Sequence, residues 1–424
     1  MRTSTTTRTM ICRRGTFRKF LSVSVLKQDI VDFTPEMIAW RHDFHMYPEL
    51  GFEEFRTSQI VADKMESWGI RVTREIATTG VVGTLEGRSN VSGRSIGLRA
   101  DMDCLPMEEE NTFDHKSTIP GKMHGCGHDG HTTMLLGAAR YLASTRDFDG
   151  TVHFIFQPAE EGLGGGRVMV EDERLFDRFP CDEVYGMHNW PELPFGEIAV
   201  MEGPLMAAED SFEITVRGKG GHAAMPHQTL DPIYMGAQLV TALQSLVSRN
   251  TDPVDSVVLS VTEFHAGSAF NVIAEAATLG GTVRTFEDET RDRIEAGIRK
   301  MGESLVESLG GRADVRYTRG YPATVNDAVA TEKATAVAMS IFEGNHVKRD
   351  LPRRMGSEDF AYMLERRPGC YVWLGQGGGA SEHMLHNAMY DFNDECLPVG
   401  ATFFVGLVER LMPSTATAGD VRVG

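Results

Sequence analysis

The sequence predicts an α/β protein built on a mixed sheet, with a smaller α+β lobe inserted into it. Three observations carry that expectation. TVHFIFQ (151–157) is almost continuously apolar, as strands buried on both faces are, and SIGLRA (95–100) and EVYGM (183–187) are weaker versions of the same pattern. Each run hands over to polar residues: Asp101 and Asp103 after the first in chain order, Glu160 and Glu161 after the second, His188 and Asn189 after the third. That edge is where open α/β sheets place their sites. Between about 208 and 321 the pattern changes to alternating strands and amphipathic helices.

The elements follow in order. HGCGHDGH (124–131) is a glycine-rich loop whose glycines permit tight turns, and from His131 onward Met134, Leu135, Ala138 and Leu142 repeat near helical spacing. In the middle region SFEITVR (211–217) alternates apolar and polar residues. Ile233, Ala237, Val240, Leu243 and Val247 mark a helix opened by Asp231 and Pro232. SVVLSVTEF (256–264) and TLGGTVRTF (278–286) return as strands, Ile294, Ile298, Met301 and Leu305 mark a second helix, and ADVRYT (313–318) supplies a last strand. This is the split β-α-β order of a ferredoxin-like sandwich. Further on, GSEDF (356–360) reads as a helix cap, with Ser357 at the cap and acids in the first turn. GQGGGA (375–380) lacks the Lys and Ser/Thr of a phosphate loop and reads as a flexible connection into SEHMLHNAMYDFND (381–394).

Five residues in these segments carry metal-ligand side chains: Cys126, His128, Glu161, His188 and His386. A thiolate and neutral imidazoles suit zinc, and carboxylates also admit manganese or cobalt. Each residue has a plainer reading. His188 alone is more often a hydrogen-bonded structural residue, Cys126 alone a packed thiol, and His124, Asp129 and His131 cap the helix or orient ligands. The Glu160–Glu161 pair resists that treatment, because adjacent carboxylates at a buried strand end are costly without a cation. Convergence of independent segments therefore favours a metal site.

In one order along the chain stand RHDFHMYPELGFEE (41–54), GLRADMDCLPMEE (97–109), PGKMHGCGHDGHTTMLLGAARYL (120–142), FQPAEEGLGGG (156–166), GGHAAMPH (220–227), FNVIAEAATLGGTVRTF (270–286), MGSEDFAYML (355–364) and LHNAMYDFND (385–394). Together they resemble the hippurate hydrolase and indoleacetyl-amino-acid hydrolase branch of the di-metal aminoacylase and carboxypeptidase family, the N-acyl-L-amino-acid amidohydrolases, from about Ile38 to Leu411. The resemblance implies a metallopeptidase-like catalytic domain from residues 29–207 and 322–413, with a ferredoxin-like dimerisation lobe, or lid, inserted at 208–321. It implies two divalent metal ions per subunit, zinc or manganese, with cobalt or nickel as alternatives. The ligands would be Cys126, His128, Glu161, His188 and His386, and Glu160 would be the general base that activates a metal-bound water. Asp103 matches the Asp that in relatives orients a metal-binding His; the neighbouring ligand position here is Asp101, and in this branch the Cys takes over. His222, Asn271 and Arg284 match substrate-contacting positions, sometimes reached across a homodimer. An Arg grips a free carboxylate bidentately, which suits an N-acyl amino acid. Without the family, Arg284 would read as a surface strand residue. Dipeptidase and deacetylase activities are close variants, and a catalytically inactive metal-binding dimer is the contrasting expectation.

Composition agrees. The chain has 424 residues, 41% of them hydrophobic, so it can bury two cores, and no repeat or long apolar run marks a solenoid or membrane span. Its net charge of −18 argues against nucleic-acid binding and for a small-molecule substrate. Cys12, Cys104, Cys126, Cys181, Cys370 and Cys396 form no disulfide framework, which points to a reducing, cytoplasmic setting. Residues 1–28 are rich in Arg, Ser and Thr with no acid, and fit either a mitochondrial transit peptide or an upstream mis-assigned start. The expectation is a disordered, dispensable extension there and a disordered tail at 414–424.

Overall fold

The computed structural model describes residues 25–377 and 383–414. The larger sheet has eight strands in the spatial order Arg71–Ile76, Gly80–Glu86, Thr151–Gln157, Ser95–Asp101, Glu183–Pro194, Gly369–Gly377, Ile198–Ala199 and Val347–Lys348. Its centre is parallel, with Asp101 paired to Gln157, Arg99 to Gly186 and Trp373 to His188, so these strands end on the same side. Their alternation feeds two cores. Val152, Phe154 and Phe156 enter one together with Leu98, Met187 and Val372, whereas Ile155, Val184, Tyr371 and Trp373 enter the other. Successive side chains of a strand point to opposite faces, and apolar residues on both are what a doubly covered sheet requires.

Helices Gln28–Met46, His128–Thr145, Ala328–Ile341 and Cys396–Leu411 pack together over the first face. The helix at the site opens at His128, three residues before the sequence pattern suggests. Gly127 is the reason: it sits at φ 96°, and a Cβ there would meet Asn189 Oδ1 at 2.3 Å, so only glycine turns the loop into the helix. The Glu183–Pro194 strand likewise does not stop at Met187 but carries His188 within it. His188 still clears its neighbour, because pairing to Ser95–Asp101 ends at Gly186.

Two adjacent chain crossings lead to the inserted lobe, where Gly203–Met206 pairs antiparallel with Thr324–Asn326. The lobe's four strands run Val258–Ala266, Ala276–Thr285, Ala208–Arg217 and Arg312–Arg319, all antiparallel neighbours, the ferredoxin-like order the sequence suggests. Pro232–Ser248 and Asp288–Ser308 cover one face. The buried core residues of the first helix are Met235, Leu239, Leu243 and Leu246; of the expected pattern Leu243 is among them, Val240 and Val247 pack at its edge, and Ile233 and Ala237 are exposed. Two apolar stripes overlap on this helix and the bulkier one takes the sheet, which leaves Ile233 exposed.

Two further expectations change. Ser357 caps no helix: the short helix is Ala361–Leu364, and Ser357 Oγ donates to Glu209 Oε2 at 2.5 Å. Gly375–Gly377 belongs to a strand rather than a loop, and 378–382 lie outside the described residues. Residues 1–24 and 415–424, most of the expected extension and tail, also lie outside them; Lys27, at the end of that extension, pairs with Glu409 at 2.6 Å. Among the described residues no helix is long and apolar enough to cross a membrane.

Asp231 caps Pro232–Ser248 by accepting from Ile233 N at 2.9 Å. Asp231→Ala should cost about 1 kcal/mol of stability in urea unfolding, the usual worth of an N-cap. An unchanged midpoint would show that the cap contributes nothing.

Candidate metal centre

The parallel strand ends deliver the polar side chains to one place. His128 Nδ1 faces the Asp103 backbone carbonyl at 2.9 Å and Asp103 Oδ1 at 3.2 Å, which leaves Nε2 pointing inward. Asp103 Oδ2 accepts from the backbone N–H of Glu161 at 2.9 Å, so one carboxylate fixes both neighbours. His188 Nδ1 is engaged by the Asn189 carbonyl at 2.7 Å, and its Nε2 lies 3.4 Å from Cys126 Sγ. From the far loop His386 Nε2 reaches within 3.4 Å of Glu161 Oε1. That residue is held at φ 61° with its N–H bonded to the Gly125 carbonyl at 2.8 Å, a left-handed conformation that the surroundings must impose.

The donor atoms fall into overlapping groups, each within 4.8 Å: Cys126, His128 and His188; Cys126, Glu161 and His386; His128, Glu160 and Glu161. All five sequence candidates and Glu160 are thereby brought together. His128 Nε2 and Glu161 Oε1 are buried and have no hydrogen-bond partner. Buried polar atoms left this way are costly, and N, S and O donors converging on one point fit a divalent cation.

Electrostatics point the same way. Burial, then Glu358, Glu161, Asp359 and Asp103, push the Glu160 carboxyl well above the usual range. Burial and the charges of Glu161 and Glu160 likewise push up the Cys126 thiol. For His128 burial favours the neutral ring, yet Asp101, Asp103 and Glu161 outweigh it and raise the group to about 10. His188, desolvated and beside His131, is driven the other way and stays neutral, the form a metal ligand needs. A cation in the cluster would let Glu160 and Cys126 ionise together and favour a neutral His128.

Beneath this layer lies a network that sequence reasoning missed. Arg99 is fully buried and donates to Gln157 Oε1 at 2.9 Å, Asp101 Oδ2 at 2.7 Å and Asp359 Oδ1 at 3.1 Å, with Glu358 Oε1 at 2.9 Å. His131 bridges Asp101 Oδ1 at 2.7 Å and Asn189 Oδ1 at 2.6 Å. Asp101 therefore braces Arg99 and His131, while Asp103 orients His128 and Glu161. A charged residue inside the apolar run SIGLRA was the available signal, since a buried Arg demands carboxylates. The Tyr321 hydroxyl donates to the Glu160 carbonyl at 2.6 Å, a contact without a sequence signature.

A cavity of about 500 Å³ opens over the cluster. Leu105, Pro106, Trp190, Met206 and Leu385 give it apolar walls, and Arg284 reaches it from the inserted lobe. His222 and Asn271 are not brought there: they lie on, and just before, the exposed antiparallel pair Gly221–His222 and Val272–Ile273.

The sequence profile of peptidase family M20/M25/M40 matches residues 97–410. The chain belongs to that family. Among its M20 relatives the hippurate hydrolase of Campylobacter jejuni is 41% identical, over 91% of this chain and 98% of the relative. The N-acyl-L-amino acid amidohydrolase of Geobacillus stearothermophilus is 42% identical over 71% of this chain and 80% of its own. The crystal structure of the Bacillus subtilis YXEP protein, a dinuclear metal-binding peptidase of the M20 family, superposes with a TM-score of 0.79 at 33% identity, covering 91% of this chain and all of that one. This M20 protein is accordingly an amide-bond hydrolase with a metallopeptidase-like α/β fold.

Asp103 accepts on both oxygens, so the amide of Asp103→Asn must turn a donor toward His128 or Glu161. Calorimetric titration of the stripped variant with manganese should show affinity about 10–100-fold weaker. Unchanged affinity would remove Asp103 from the account.

Proposed function

We propose that the chain hydrolyses the amide bond of N-acyl and N-aroyl amino acids, hippurate-like conjugates, with two divalent cations, zinc or manganese, in the cluster described above. Cys126 belongs to two of the donor groups, with His128 and His188 on one side and Glu161 and His386 on the other, which supports room for two neighbouring cations held by these residues. Bound cations there would supply Lewis acidity, acidifying a water and polarising the amide carbonyl.

Glu160 is the observation that carries the reading. The residue is 7% exposed, lines the cavity and sits beside the ligand set with the Asp359 N–H 3.4 Å from Oε1. In that position it takes the proton of the attacking water and passes it to the leaving nitrogen, the role of a general base turned acid. Tyr321 holds its backbone, and Glu161, aimed at His128 and His386, cannot share the task. Arg284 would hold the substrate's free carboxylate, and the apolar walls would receive its acyl group.

His222 and Asn271 fit the reading as residues offered to a second subunit of a homodimer. In the same lobe Phe270, Val272, Ile233, Tyr234 and Phe264 are all exposed, apolar surface that association would cover.

Glu160→Gln should lower kcat for hippurate by about 10²–10⁴-fold while metal content stays unchanged. Turnover equal to wild type would end this mechanism. Phe270→Asp should shift the protein from dimer to monomer in sedimentation and reduce activity with it; a dimer that persists would move the interface elsewhere.

A further inference from the structure

The entry into the inserted lobe carries a carboxylate that the hydrolytic chemistry leaves unused. Glu209 is the second residue of Ala208–Arg217, and its backbone is tied on both sides to the returning crossing: its N–H donates to the Tyr321 carbonyl and its carbonyl accepts from Gly320 N–H, each at 2.9 Å. Ala208 and Asp210 point into the packed interior, so strand alternation sends Glu209 the other way, into the cavity over the metal centre. The register sets Arg284 directly opposite. Arg284 Nη2 lies 3.2 Å from Glu209 Oε1, and Ser357 Oγ donates to Oε2, so both carboxylate oxygens are engaged.

Charge gives this pair its meaning. Among the described residues lining the cavity Arg284 is the single Lys or Arg, whereas Glu160, Glu161, Glu209 and Glu358 are all acidic. Arg284 is further steadied by its Nη1, which donates to Thr282 Oγ1 and to the Val283 carbonyl at 3.1 Å. Its Nη2 is thus the edge offered to a ligand, and Glu209 already occupies it. The side chains are 20% and 44% exposed, so the pair is weak enough to be exchanged for another carboxylate.

We propose that Glu209 is a specificity-determining residue: it competes with the substrate's free carboxylate for Arg284, so a carboxylate-bearing substrate binds by displacing it. This rests on the reading of Arg284 as the carboxylate-holding residue. Affinity for the carboxylate is set by the difference between two anions, not by Arg284 alone. A conjugate with a second negative charge, such as an N-acyl aspartate, also meets the displaced Glu209 carboxylate and is disfavoured.

The test uses full-length, metal-loaded protein in the Glu160→Gln background, where turnover is slowed about 10²–10⁴-fold and binding is read before it. Calorimetry gives dissociation constants for hippurate and for its carboxamide, hippuramide, with Glu209→Gln and with Arg284→Met added separately. Glu209→Gln keeps an acceptor for Ser357 and removes the charge. It should tighten hippurate relative to hippuramide by about two- to fivefold, the range of an exposed ion pair, and the gain should shrink in 0.5 M NaCl. Arg284→Met should abolish the preference for hippurate. If Glu209→Gln leaves the hippurate-to-hippuramide ratio unchanged or lowers it while Arg284→Met abolishes the preference, the competition is wrong and Arg284 stands. If Arg284→Met leaves the preference intact, the reading of Arg284 fails and takes the proposal with it.

Discussion

More buried carboxylate than the protein's own cations can neutralise is gathered at one end of the parallel strands, and the rest of the structure is arranged around that excess. Asp101, Asp103, Glu160, Glu358 and Asp359 are all buried there, and the buried guanidinium of Arg99 pairs with only part of them. Desolvating one carboxylate costs several kcal/mol, and several together are tolerated only with compensating positive charge. Arg99 settles the lower layer by engaging Asp101, Glu358 and Asp359 at once. The upper layer, with Glu160, Glu161 and the Cys126 thiol, has the histidines alone, and His128 Nε2 and Glu161 Oε1 have no hydrogen-bond partner. A divalent cation would complete that layer.

The fold makes such a concentration affordable. Three parallel neighbours end side by side, so residues far apart in sequence meet within a few ångströms, and the two apolar cores behind them hold the ends in place. Asp103 translates strand position into ligand orientation by fixing His128 and Glu161 together. The paired crossings at Gly203–Met206 and Thr324–Asn326 then set the inserted lobe over the site, which brings Glu209 and Arg284 into the same cavity as the metal ligands. On the proposed reading, chemistry and substrate selection come from different sheets that share one opening.

Much of this is legible in the sequence wherever the signal is local. The Thr151–Gln157 strand announces itself by seven residues of buried pattern, and the turn into Glu160 and Glu161 follows at once. The inserted lobe's order is readable because its strands alternate and its first helix has a capping Asp followed by Pro. What is not legible depends on distance in sequence or on competition between patterns. Arg99 finds Asp359 across 260 residues, and no local rule joins SIGLRA to GSEDF. The face that Pro232–Ser248 buries is decided by which of two apolar stripes fits the sheet. His222 and Asn271 match the family motifs, yet within one chain they stand away from the cavity.

The central claim is that the carboxylate and thiol excess at the strand ends exists to hold two cations. Metal analysis of protein stripped with chelator, reloaded with manganese or zinc and freed of excess ion tests it most directly. The account predicts two tightly held equivalents per chain; one equivalent, or none, would contradict it.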